Sequence, residues 1–127
     1  MRVALVCPYD LGIPGGVQDQ VLRLHRWLTQ AGHEATIIGT GREGPEGAVL
    51  VGSSISVRAN KSSVPISLDP RAVSRVRSAV GDVDVVHIHE PLMPMVSLAA
   101  TRIADLPTVG TFHADASTFT RRGLRIG

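Results

Sequence analysis

The chain has 127 residues, enough for one domain with a real core, and its 43% hydrophobic and 19% charged residues place it among globular chains and not disordered ones. A formal net charge of +2 is too mild to argue for nucleic acid, and Tyr9, Trp27, Phe112 and Phe119 are too few to make a base-stacking platform. The single cysteine, Cys7, excludes a disulfide framework and fits a reducing cytoplasm; no stretch is apolar enough to span a bilayer, and no small-residue cleavage pattern of a secretory signal follows the N-terminal run.

Arg2 to Cys7 is an apolar run of strand length. Pro14, Gly15 and Gly16 punctuate the turn after it, and Val17, Val21, Leu24, Leu28 and Ala31 then recur at helical spacing. Strand, glycine turn and helix follow one another. Two glycines at a helix start let backbone N–H groups approach a ligand, and the positive end of the helix suits a phosphate. The same glycines equally suit a tight turn with no ligand. Gly32 is placed to cap the helix, and His33 to Gly39 reads as the second strand. Thr40 to Gly47 is a polar loop. Val49 to Val51, Ile55 to Arg58 and Val64 to Leu68 are short strand-like pieces whose pairing the pattern does not fix.

Asp69-Pro70 signals a second helix, running to about Val80 with Val73, Val76 and Val80 as its apolar stripe and Ala72 and Ala79 beside it. Arg71 and Arg75 sit one turn apart on its outer side, and Gly81 stops it. Val83 to Ile88 is nearly all apolar, as expected of a parallel strand covered on both faces, and it runs into His89, Glu90 and Pro91. Leu92 to Ala104 reads as a helix that is apolar nearly all round, and Leu106 to Phe112 as a further strand ending at His113.

The alternation predicts an α/β, Rossmann-like, mostly parallel sheet with helices on both faces. In strand order 3-2-1-4-5 the reversal lies between the first strand and the His87 strand. Gly15-Gly16, His89-Glu90 and His113 then gather at one carboxyl rim, where such sheets bind ligands.

Several chemistries compete for those residues. His87 and His89, two apart in a strand, face one way and with His113 would offer three nitrogens to a metal; hydrogen-bonded or ligand-contacting histidines are the other reading. Asp115 would orient the His113 ring or stand as a solvated loop residue. No nucleophile elbow surrounds Ser53, Ser54, Ser62 or Ser63, and no glycine–lysine phosphate loop occurs. The glycines of "GIPGGVQ" have the wrong spacing for a dinucleotide fingerprint, and the acidic residue expected after the second strand is missing.

Three motifs stand in order: "PGGVQ" after the first strand, "HIHEP" ending the fourth, and "TFH" ending the fifth. Together they resemble the N-terminal domain of retaining glycosyltransferases of family four, enzymes with the GT-B architecture of two facing Rossmann-like domains. The chain is similar in particular to the actinobacterial phosphatidylinositol mannosyltransferases, which share "VCPY" and "PGGVQ". The resemblance runs from Met1 to about Ser117. It implies that residues 1–127 are the acceptor-side domain of such an enzyme, truncated before the donor-binding domain. It implies transfer of mannose from GDP-mannose to an inositol-containing lipid, with retention and with neither cofactor nor essential metal.

By the same resemblance Gly15 and Gly16 lie beside the donor pyrophosphate and the acceptor. His113 lies at the reaction centre as the candidate catalytic residue. His89 and Glu90 line the fourth-strand rim, and Asn60 and Lys61 belong to the acceptor loop. That loop departs from the family: Ala59 stands where relatives carry tyrosine, and later arginines are missing, which bears on the acceptor. Arg58, Lys61, Arg71, Arg75 and Arg77 would attract an anionic membrane if they face one way, as expected of a cytoplasmic enzyme peripheral at the inner face of the plasma membrane; a solvated helix face is the alternative. Two further readings stand beside the transferase: a non-catalytic, dimerising half-enzyme, and an unrelated phosphate-binding α/β enzyme.

Overall fold

The computed structural model describes residues 1–59, 62–103 and 106–113. Strand β1 (Arg2–Asp10) is central. It is followed by α1 (Gly16–Gln30), β2 (Glu34–Thr40), β3 (Val49–Leu50), β4 (Ile55–Ala59), β5 (Ser62–Ile66), α2 (Arg71–Val80), β6 (Val85–His89), α3 (Val96–Ala100) and β7 (Thr108–Thr111).

β1 pairs in parallel with β2 on one side and with β6 on the other. β3 extends the first side and β7 the second, also in parallel. The parallel sheet therefore runs β3-β2-β1-β6-β7, with the reversal between β1 and β6, as the alternation predicts. The addition is a hairpin: β4 and β5 pair antiparallel, and β5 joins the end of β1 through Tyr9 and Ile66.

Alternate residues of β1 feed two cores. Ala4 and Val6 pack with Ile38, Val76, Val86, Ile88 and Val96 on the α2–α3 face. Leu5, Cys7 and Tyr9 pack with Val21 and Ile37 on the α1 face. Burying a side chain such as Val21 contributes about 1.5–3 kcal/mol, so each helix is held mainly by its apolar stripe. Burial also pushes the Cys7 thiol up to about 12, so it behaves as a small hydrophobe in this strand.

β1 runs three residues past Cys7, through Pro8. Its register with β2 breaks between Val6 and Asp10, so the missing proline N–H falls in an irregular stretch where no ladder bond is lost. Helix α1 ends in a Schellman motif: Gly32 N donates to Thr29 O at 3.1 Å and His33 N to Leu28 O at 2.9 Å, with Gly32 at φ 91°. At α2, Asp69 Oδ1 accepts from Arg71 N at 2.9 Å, as the Asp-Pro signal predicts. The buried stripe of α2 is Ala72, Val76 and Val80, and Val73 is 41% exposed.

The expected helix over Leu92–Ala104 is reduced to the five residues of α3. Apolar composition had suggested the longer span. Pro94 interrupts its first half, and Met95 at φ 63° turns the chain immediately before α3. Asn60, Lys61, Asp115 and Phe119 lie outside the described residues.

Candidate functional site

The site is built where β1, β6 and β7 end. His87 and Thr111 are on the same face of the sheet, as are His89 and Thr111 by register. His87 Nε2 meets Thr111 Oγ1 at 2.7 Å. The His87 and His89 rings stack with centroids 4.3 Å apart, as period-two geometry requires. His113, two residues beyond β7, meets His89 edge to edge, with centroids 5.0 Å apart and the ring planes within 15° of each other. His89 Nδ1 and His113 Nε2 are 2.7 Å apart and share a hydrogen bond.

Glu90 fastens the same corner. Its backbone N donates to Thr111 O at 2.8 Å, and its Oε1 accepts the His113 backbone N–H. Glu90 holds φ 51°, uncommon for a side chain larger than glycine and a feature that clusters at functional sites. Ser97 Oγ donates to His89 O at 2.7 Å, tying α3 to the end of β6. His89, Glu90 and His113 are thus one hydrogen-bonded unit.

The electrostatics follow from burial. His89 is 2% exposed, and burial, with His87 and His113 beside it, pushes its pKa down to about 3. The His87 ring is lowered by burial and by His113. Tyr9, on the same face of β1 as the histidines, is raised to about 12 by burial and then by the Glu90 and Cys7 charges. At the rim, His87 and His89 are therefore held toward the neutral form.

The glycine turn sits at the neighbouring strand end. Gly15 precedes α1 with extended backbone, and no side chain caps the helix. Gly15 N-caps α1 with its carbonyl alone, accepting from Asp19 N at 2.9 Å. A Cβ at 15 would run into the amide end of the Gln18 side chain, which would have to move to make room. Gln18, 5% exposed, folds back over the turn, and its Nε2 donates to Asp10 O at 3.3 Å, joining α1 to the end of β1. A Cβ on Gly16 would meet nothing within 4 Å. Asp10 in turn holds the loop, accepting from Gly12 N at 2.8 Å and from Ser54 Oγ.

Geometry does not favour a metal among the histidines. The facing nitrogens of His89 and His113 are bonded to each other, and among the described residues no group of three His, Cys, Asp or Glu side chains is arranged to hold an ion.

Sequence reasoning missed Gln18, Tyr9, Thr111 and Ser97. For Gln18 a signal existed: it lies three residues before Val21 on the apolar side of α1, where a polar residue needs a partner.

A parallel sheet with helices on both faces, and with polar side chains bonded together at its carboxyl rim, is a Rossmann-like unit, consistent with the N-terminal half of a GT-B enzyme. Residues 14–126 match the model of Glycosyltransferase Family 4, and the chain belongs to that family. It is 37% identical over 122 residues to the phosphatidyl-myo-inositol mannosyltransferase of Mycolicibacterium smegmatis, covering 92% of this chain and 32% of that protein. The protein of the same name from Propionibacterium freudenreichii is 38% identical over 125 residues, 89% of this chain and 33% of that one. That of Mycobacterium leprae is 36% identical over 122 residues, 92% and 33% respectively. The chain spans about a third of the length of the curated relatives it matches.

Proposed function

We propose that this chain is the acceptor-side part of a retaining mannosyltransferase that moves mannose from GDP-mannose to phosphatidylinositol or a related inositol-containing lipid. The observation that carries the reading is the bonded unit of His89, Glu90 and His113 at the carboxyl rim, next to a glycine turn whose helix start has no side-chain cap. Family membership and the mannosyltransferase relatives support the reaction class.

Each part has a physical task. The uncapped N–H groups at Gly16 and the positive end of α1 face the phosphates of the donor, where charge grows as the sugar leaves. Open space at Gly16 lets a phosphate oxygen come close to the backbone. His113 binds a sugar, inositol or phosphate oxygen at the reaction centre, held by His89 through its ring and by Glu90 through its backbone. Asn60 and Lys61 contact the acceptor headgroup. A second domain holds the nucleotide, and rate comes largely from clamping donor and acceptor between the two. With a lipid acceptor the enzyme works at the cytoplasmic face of a membrane. None of the helices among the described residues is long and apolar enough to cross one.

The departure at Ala59 favours a second reading, a family-four transferase for another acceptor. Labelled GDP-mannose offered to the full-length enzyme with phosphatidylinositol vesicles tests both. Labelled glycolipid supports the first. Labelled product from another polyol acceptor alone supports the second, and donor hydrolysis or inertness with every nucleotide sugar overturns the transferase reading.

A further inference from the structure

We propose that His89 is a positioning residue: it donates its Nδ1–H to His113 Nε2 and so holds the His113 ring in the tautomer that carries its proton on Nδ1, the nitrogen His89 does not engage. Two ring nitrogens 2.7 Å apart need one proton between them. If His113 supplied it, a neutral His89 would carry its own proton on Nε2. That atom is buried and has no partner among the described residues. A buried N–H without an acceptor is among the rarest defects in folded proteins, whereas an acceptor left short of a donor is better tolerated. With the proton on His89 Nδ1, the buried Nε2 is only a bare lone pair.

The surroundings hold this arrangement. His89 stacks on His87 at an interplanar angle of 26° and lies nearly coplanar with His113, at 15°, so its ring cannot turn without breaking the stack and the in-plane hydrogen bond. Its carbonyl is fixed by Ser97 Oγ, and the His113 backbone by Glu90. Burial keeps His89 neutral across the physiological range, so it has one donor and one acceptor to offer. His113 then meets its ligand as an N–H donor, suited to a phosphate or hydroxyl oxygen, and not as a base. That consequence rests on the transferase reading above; the tautomer does not.

The test is long-range 15N–1H correlation spectroscopy on histidine-labelled protein, above the usual histidine titration range, with His113→Ala assigning the signal. The expected wild-type pattern is protonated Nδ1 and bare Nε2 for His113. His89→Phe keeps a ring in the stack but has no donor, and shifts His113 toward Nε2–H. His89→Asn places an amide N–H near the lost Nδ1 and restores the original pattern. In the full-length enzyme His89→Phe lowers kcat at least ~10-fold and His89→Asn recovers most of it. A wild-type His113 protonated on Nε2 overturns the proposal, whether or not the variants fold, and so does a His89→Phe pattern identical to wild type. If the tautomers behave as stated but turnover does not change, the positioning stands and the role of His113 in transfer falls.

Discussion

Gly15 and Gly16 look equivalent in sequence, and the structure separates them. In Gly15→Ala the backbone is not strained, because φ −173° suits any residue, but the new methyl runs into Gln18 Oε1 and lies 2.8 Å from its Cδ. Gln18 is buried and must move. Its hydrogen bond to Asp10 O, worth about 1 kcal/mol net, is lost. Asp10 O keeps its bond from Ile13 N at 3.2 Å, so no acceptor is orphaned there. Repacking around the displaced amide adds about 1–2 kcal/mol. A total of about 2–3 kcal/mol lowers Tm by roughly 8–12 °C in a chain of this size. Gly16→Ala meets open space at a helical position, where alanine is the better helix former, so Tm holds or rises slightly. In the full-length transferase the second variant should still lose about 10-fold in turnover, because its methyl stands where a donor phosphate must approach. Thermal unfolding and steady-state kinetics on both variants, with Gln18→Ala as the third corner of a cycle, measure this. A Gly15→Ala protein as stable as wild type, or one that Gln18→Ala does not rescue, would refute the clash; normal turnover in Gly16→Ala would refute the phosphate approach.

The parallel order was legible because its signals are local and strong. The apolar runs at Arg2–Cys7 and Val83–Ile88, the glycine at 32 and the Asp69-Pro70 start each have one physical meaning, and the handedness of strand–helix–strand units leaves few topologies. The rim residues followed, because a parallel sheet brings its strand ends to one side. The hairpin was not legible. β4 and β5 are short, only Ile66 among their residues of described burial is fully buried, and Pro65 interrupts β5, so neither alternation nor hydrophobicity fixes their register, and their link to β1 is the single pair Tyr9–Ile66. Helix α3 is shorter than its apolar composition suggests because composition carries no account of Pro94 or of the turn at Met95. The histidine stack was half legible: period two placed His87 and His89 together, but the Nδ1–Nε2 bond to His113 depends on how the chain bends after Thr111, which no local pattern encodes.

In the full-length enzyme His113→Ala should lower turnover at least ~10-fold, about 1.4 kcal/mol of transition-state stabilisation, with Tm preserved; near-normal kinetics, or a loss explained by unfolding, would remove it from the site. Residues 1–127 alone should transfer no sugar, and measured transfer by the purified chain would show that one half of the cleft suffices. Co-sedimentation should show more binding to anionic than to neutral vesicles, at about 1 kcal/mol per basic residue near the surface. Arg71 is tied to Asp69 at 3.0 Å and Arg75 leans on Val51 O at 3.4 Å, so equal binding to both vesicle types would mark an ordinary solvated face. The last expectation is acid sensitivity. His87 and His89 have pKa values lowered in the folded state, so the unfolded chain binds more protons once pH falls below the ordinary histidine value of about 6.5. Their contribution is therefore complete above that value and is lost progressively as pH falls toward about 3, the value for His89. Asp69, also lowered, acts in the same direction but only from the carboxylate range of about 4 downward, which leaves the interval from about 6.5 to about 5 to the histidines. Tm should fall across that interval, and His89→Phe should flatten the fall, since phenylalanine has no proton to gain. An unchanged Tm across the same interval would mean that the stacked rings titrate as freely folded as unfolded, and that their burial does not set their charge.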